Sequence, residues 1–190
     1  MIMTMPDLDN FQIKRSNKTQ FYIYTHHALN SFSSALRKNA IDNFDIIFCP
    51  CPHHVSEVKI LEEFYKLPPK ILVETGYVKV DVLIEKYNSF QKQQFNKPDK
   101  ETILIAPVWG KHGILEMGKG TSIIDSLISQ KYNVVLRPHP ETFKHSPKKI
   151  EEIIQKYKHH EQFTLEKNIT DDTSLFSSKA LVTDWSGIAW

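Results

Sequence analysis

Short apolar runs rich in Ile, Val, Phe and Tyr return at intervals along the chain, and most are followed by a stretch with helix-type spacing. That alternation restricts the fold to βα units around a mostly parallel sheet. Strands are expected at about 1–5, 21–26, 45–50, 70–75, 102–107, 132–137, 163–166 and 180–184. Helices are expected at 31–41, 54–66, 79–88, 119–130, 146–158 and 172–178. In 54–66, Val55, Val58 and Leu61, with Phe64 and Tyr65, make an apolar stripe beside Glu57, Lys59, Glu62 and Glu63, which reads as core packing. Only NSFQKQQFNKPDKE (88–101) breaks the rhythm: it is polar, lacks a period and contains Pro98. The organisation expected is two Rossmann-like halves, 1–92 and 102–190, joined by a linker at 93–101.

The bulk numbers remove several function classes. With 190 residues and 41% hydrophobic content the chain can bury real cores. Twenty-four Lys and Arg against 22 Asp and Glu leave a formal charge of +2, without the basic excess of a nucleic-acid binder. No nucleic-acid partner is expected, and any anion site must be local. MIMTMPDLDNF has no basic n-region, and its apolar start is cut by Pro6 and Asp7, so it is not a signal peptide. No run approaches the ~20 apolar residues of a spanning helix. Two cysteines, Cys49 and Cys51, are too few and too close for a disulfide framework. A soluble protein of a reducing, cytoplasmic compartment is the expectation.

NVVLRPHPETF (133–143) is the most informative segment for chemistry. A buried strand runs into Arg137, Pro138, His139 and Pro140, and the prolines stop it and stiffen the turn. Arg137 and His139 are thereby offered at a strand's carboxyl end, where open α/β sheets bind ligands. Arg can hold a phosphate bidentately and His can move a proton near neutral pH. A rigid turn with a surface Arg and a structural His fits the tetrapeptide equally well. In ALVTDWSGIAW, Asp184, Ser186 and Gly187 follow a strand where a helix should start, either as an anion cradle or as ordinary N-caps.

Three further segments carry weaker signals. In YIYTHHALNSF, His26 and His27 end a strand ahead of Asn30 and Ser31, placed for a general base or for structure alone. APVWGKHGIL offers Gly110 and Gly113 where backbone can approach a ligand, and Trp109 to pack on a flat group. In ETGYVKVDVL, Gly76, Lys79 and Asp81 read as a strand-to-helix turn. CPCPHH (49–54) looks at first like a metal cluster, but structural zinc sites use C-x(2–4)-C spacing with a distant second pair, and Pro50 and Pro52 stiffen this run. No metal is expected.

Taken together, MPDLDNFQIKRS (5–16), THHALNS (25–31), FDIIFCPCPHHVSEVK (44–59), TGYVKVD (75–81), ILIAPVWGKHGILE (103–116), RPHPETF (137–143) and TDWSGIA (183–189) resemble the CDP-glycerol glycerophosphotransferase family, the teichoic-acid type polymerases and primases. These pieces occur in family order over nearly the whole chain, and RPHP followed by TDWSG is the most diagnostic pair. Relatives commonly carry Gly where Cys51 stands and Pro or Gly where Val78 stands. They also begin before Met1 and run past Trp190, so the resemblance implies a chain shortened at both ends and inactive by itself.

The resemblance implies an α/β GT-B-like fold of two Rossmann-like parallel-sheet halves with the active site in the cleft between them. The family's acceptor-activating His falls on His27, next to His26. Its RPHP Arg and His fall on Arg137 and His139, and its donor-phosphate turn on Asp184, Ser186 and Gly187, with Trp109, Gly110 and Gly113 on the donor side. The implied reaction moves glycerol phosphate, a related polyol phosphate or a sugar from a CDP-linked donor such as CDP-glycerol to a hydroxyl of a cell-surface polymer precursor. Neither a cofactor nor a metal is required, because protein donors neutralise the charge. A lipid-linked acceptor would place the enzyme peripherally on the inner membrane face. A sugar-nucleotide 2-epimerase of the same plan and a non-catalytic nucleotide-binding module are the alternatives.

Overall fold

The computed structural model describes residues 1–93 and 101–189. They form two compact units, Met1–Leu83 and Ile84–Ala189, each with its own sheet. In the first, β1 (Ile2–Met3), β2 (Ile23–Thr25), β3 (Ile46–Cys49) and β4 (Ile71–Glu74) pair in that order, all parallel. In the second, β5 (Thr102–Ile105), β6 (Asn133–Leu136), β7 (Phe163–Leu165) and β8 (Ala180–Val182) pair in the order β7-β6-β5-β8, again all parallel. No described sheet runs across the expected linker.

Strand alternation builds the first core. Tyr24 of β2 registers with Ile47 of β3, and both are buried with Cys49 on one sheet face. Phe32 from α1 (Phe32–Ala35) and Val58 from α2 (Pro52–Tyr65) close over them with Leu8, Tyr22, Ile41 and Phe44. Burying each such side chain contributes roughly 1.5–3 kcal/mol. Of the stripe expected on α2, only Val58 is fully buried, while Phe64 faces solvent. α2 starts on Pro52 at its first turn and ends on Lys66 in the left-handed region, φ 53°.

The second core lies between its sheet and two helices, α4 (Gly120–Ser129) and α6 (Pro147–Tyr157). Ile124 of α4 and Ile150, Ile153 and Tyr157 of α6 cover Ile105, Val134 and Leu136. The spacing of Ile150, Ile153 and Tyr157 is that of a single helix face. Tyr157 also ties the helices together, its hydroxyl donating to Asp125 Oδ1 at 2.7 Å.

Several boundaries differ from expectation. The helix expected at 31–41 lasts one turn, because Ser33 and Ser34 are poor helix formers and Asn39 takes φ 68°. The first strand shrinks to two residues ahead of Pro6 and Asp7, the latter at φ 73°. α3 (Val78–Gln93) runs through the stretch from Asn88 to Gln93 that had the composition of a linker. The two units divide inside α3: Lys86 pairs with Asp172 at 2.7 Å, and the rings of Tyr87 and Phe90 pack at a tilt against Phe176 of α7 (Thr173–Ser177), all in the second unit. Residues 94–100 of the expected linker lie outside the described residues. No helix among the described residues is long and apolar enough to cross a membrane.

Candidate functional site

In the second unit β5 is central, with β6 and β8 on either side, so the segments leaving their carboxyl ends gather on one edge. The segment after β5 (106–119) is held from β8. Asp184 accepts the Val108 N–H at 2.6 Å and the Ile114 N–H at 3.0 Å, while the Thr183 hydroxyl donates to the Ala106 carbonyl at 2.7 Å. Asp184 thus acts here on the loop that carries Trp109, Gly110 and Gly113, with both oxygens engaged by main-chain N–H groups. Gly110 adopts φ 103°, open to glycine at no cost. At Gly113 a Cβ would sit 2.6 Å from the Val108 carbonyl oxygen and 2.5 Å from Glu116 Oε2, so the close approach requires glycine.

The segment after β6 forms a helix that the sequence reading passed over. α5 (Pro140–His145) has Pro140 in its first turn, Glu141 beside it, and Lys144 and His145 at its end, all good helix-boundary signals. The nearby Pro147 start of the next helix obscured it. His139 caps α5, its Nδ1 accepting from the Glu141 N–H at 3.1 Å. In the neutral ring the proton therefore sits on Nε2 and is available as a donor. Burial pushes the His139 pKa down, with Glu141 and Glu116 pulling it partly back, which favours that neutral form. Trp109 lies against His139 (ring centroids 6.2 Å) and His145 (5.4 Å), joining the two loops.

Arg137 is 8% exposed, and its guanidinium donates to the carbonyls of Ile169 and of Asp171 (3.1 Å for the latter). Glu166 is 3.9 Å away. Two of the five guanidinium N–H donors are thus committed to the 169–171 main chain. Gly187 opens a 3-10 turn, Gly187–Ala189, after β8, and the Ser186 carbonyl just before it accepts the Ala189 N–H at 3.2 Å. Both carboxylate oxygens of Glu116 are buried and unpartnered among the described residues, close to Gly113 and acting on His139. Reasoning from the sequence missed Glu116, since a lone acid in a glycine-bearing loop carries no local signal.

In the first unit the neighbouring histidines separate cleanly. His26 is 5% exposed, with Nδ1 3.1 Å from the Tyr24 hydroxyl and Nε2 2.9 Å from Asn30 Oδ1. An amide oxygen only accepts, so Nε2 of His26 carries the proton and Nδ1 accepts a hydrogen bond from the Tyr24 hydroxyl. Burial lowers the His26 pKa. His27 is exposed, its ring is free of hydrogen bonds among the described residues, and its carbonyl accepts from the Tyr77 hydroxyl at 2.8 Å. The sharp turn after β4 that brings Tyr77 there passes through Gly76 at φ 71°.

Residues 9–190 match the family model described as CDP-glycerol:poly(glycerophosphate) glycerophosphotransferase. The chain belongs to that family. No curated protein sequence matches it. Among solved structures, this glycerophosphotransferase-family chain is similar to a His-to-Asn variant of the wall teichoic acid polymerase TagF, with 18% identity over 92% of this chain and 47% of that one, at a TM-score of 0.54. The same variant soaked with CDPG gives 18% identity, 92% and 46% coverage and a TM-score of 0.50. UDP-GlcNAc 2-epimerase from Methanocaldococcus jannaschii, in complex with UDP-GlcNAc and UDP, shares 12% identity over 88% of this chain and 49% of that one, at a TM-score of 0.58. The chain therefore spans about half the length of the solved structures it matches. At these identities the likeness establishes the fold: Rossmann-like, parallel α/β units of the GT-B type.

Proposed function

We propose that this chain supplies donor- and acceptor-handling parts of a transferase that moves glycerol phosphate from CDP-glycerol to a hydroxyl of a cell-surface polymer precursor. The observation that carries the reading is the family match over residues 9–190, joined to the convergence of the RPHP and TDWSG segments on one sheet edge. The acceptor oxygen attacks the glycerol-bearing phosphorus, the bond to the bridging oxygen breaks, and CMP leaves. His27 takes the hydroxyl proton, since it is the exposed member of its pair. His139 donates through Nε2–H to a phosphate oxygen, with Arg137, Ser186 and Gly187 adding donors at the phosphate of the departing CMP. Trp109, Gly110 and Gly113 line the donor side, and Asp184 holds their loop. A lipid-linked acceptor and a station on the inner membrane face complete the proposal.

Titrating CDP-glycerol while following CMP release in the presence of a glycerol-phosphate acceptor tests it. CMP release that depends on acceptor and falls in His27→Ala is the expected result. Saturable binding without any CMP release, from a chain extended to the length of the solved structures it half covers, would favour a nucleotide-binding module. Turnover of UDP-N-acetylglucosamine to its epimer would favour the epimerase reading.

A further inference from the structure

The strand-to-helix junction at the end of β3 assembles a ligand set that its sequence spacing conceals. Cys51 is the N-cap residue of α2, but its thiol makes no capping bond. Its Sγ lies 2.9 Å from Nδ1 of His54 and 3.1 Å from Nδ1 of His53. One ligand atom from each of the three residues falls within 4.8 Å of the others. Cys49, which the spacing invites as a partner, is fully buried in the first core and takes no part.

The hydrogen bonding around His54 decides what this set can do. Its Nε2 is 3.0 Å from the main-chain carbonyl of Asn30, which can only accept, so Nε2 bears the proton and the Nδ1 lone pair faces the sulfur. A ring nitrogen bonded to a carbonyl while the other points at an ion is the usual support of a metal-bound histidine. The ring is also fixed by burial and by its edge contact with Phe32, centroids 4.9 Å apart. His53 is exposed and lies tilted against His54, ring centroids 4.1 Å apart, so it can turn onto an ion from the solvent side.

We propose that Cys51, His53 and His54 form a three-ligand site for a thiolate-seeking transition-metal ion such as Zn²⁺, with its fourth position open to water. Bound at about 2.0–2.3 Å, tetrahedral ligands stand roughly 3.3–3.7 Å apart, so the present contacts need to open by about half an ångström. Binding converts the thiol to a thiolate and releases its proton to solvent. The site belongs to the first unit alone and does not depend on the transfer chemistry above.

Metal-stripped protein titrated with Co²⁺ tests this directly. One equivalent should produce the sulfur-to-cobalt charge-transfer band and the strong visible bands of a tetrahedral ion, and one equivalent of Zn²⁺ should abolish both. Cys51→Ser should remove the charge-transfer band, and His53→Gln, an exposed change, should weaken Zn²⁺ binding at least about tenfold. Cys49→Ser should leave the band in place. Absence of the band in the wild-type chain, its survival in Cys51→Ser, or unchanged Zn²⁺ affinity in both Cys51→Ser and His53→Gln overturns the proposal.

Discussion

Asp184, just past β8, accepts the main-chain N–H of Val108 at 2.6 Å across 76 residues of sequence. Its other oxygen holds Ile114, so one carboxylate fixes both ends of the loop that carries Trp109, Gly110 and Gly113. Asp184→Ala leaves two amides without their acceptor and should cost about 2–4 kcal/mol of unfolding free energy. Asp184→Asn should recover only part of that, because an amide offers one acceptor and sets an N–H against the second donor. Chemical unfolding of the three proteins measures this, and equal stabilities would remove the bracing role.

Arg137 should show a double effect. Arg137→Ala strands the carbonyls of Ile169 and Asp171, which predicts a loss of about 2–4 kcal/mol. Where the variant remains folded, the proposed grip on the donor predicts a raised KM for CDP-glycerol with a smaller change in kcat. Unaltered stability with a raised KM would assign Arg137 to the donor alone.

His26 and His27 should part company. His26→Ala removes a buried ring bonded to Tyr24 and Asn30 and should destabilise the first unit by about 2–4 kcal/mol. His27→Ala should leave the unfolding free energy within about 0.5 kcal/mol of wild type while CMP release falls by at least about 100-fold. A destabilised His27→Ala, or one with full turnover, contradicts this division.

Glu57 sets an acid-sensitive contact. Burial works against its charge, but the Ser31 and Ser33 hydroxyls and the Ser33 and Phe32 N–H groups, the last two at 2.8 and 2.9 Å, outweigh it and hold its pKa below the ordinary carboxylate value. Because the folded pKa is depressed, the stabilisation is complete above the unfolded value near ~4.3 and is lost as pH falls through the folded one. Glu57→Gln should therefore be less stable than wild type at neutral pH, and the gap should close below about pH 4. A gap independent of pH would show that charge is not involved.

How far the sequence reveals this depends on whether a signal is local. The strands at Ile46–Cys49 and Thr102–Ile105 are legible because contiguous apolar residues have few other uses, and Pro138 and Pro140 mark the turn between β6 and α5. The full length of α3 is hidden because polar Gln and Lys residues serve a helix as well as a linker. The division between His26 and His27 rests on Tyr24 and Asn30 folding back on one ring, which no reading of adjacent residues anticipates. Asp184 looks like a cap, whereas its partners lie 76 and 70 residues away. The unpartnered Glu116 and the convergence of Cys51 with His53 and His54 are products of packing, not of spacing.

The strand order β7-β6-β5-β8 also has a consequence during synthesis. β5 is made early in its unit, but one of its edges is filled only by β8, whose register partner for Leu104 is Leu181. For on the order of ten seconds of translation that edge of an apolar strand stays unpaired, and the 106–119 loop stays without the carboxylate that shapes it. A ribosome that stalls between the two segments would expose an aggregation-prone intermediate, so chaperone engagement with the nascent chain should peak in that interval and end when Asp184 emerges.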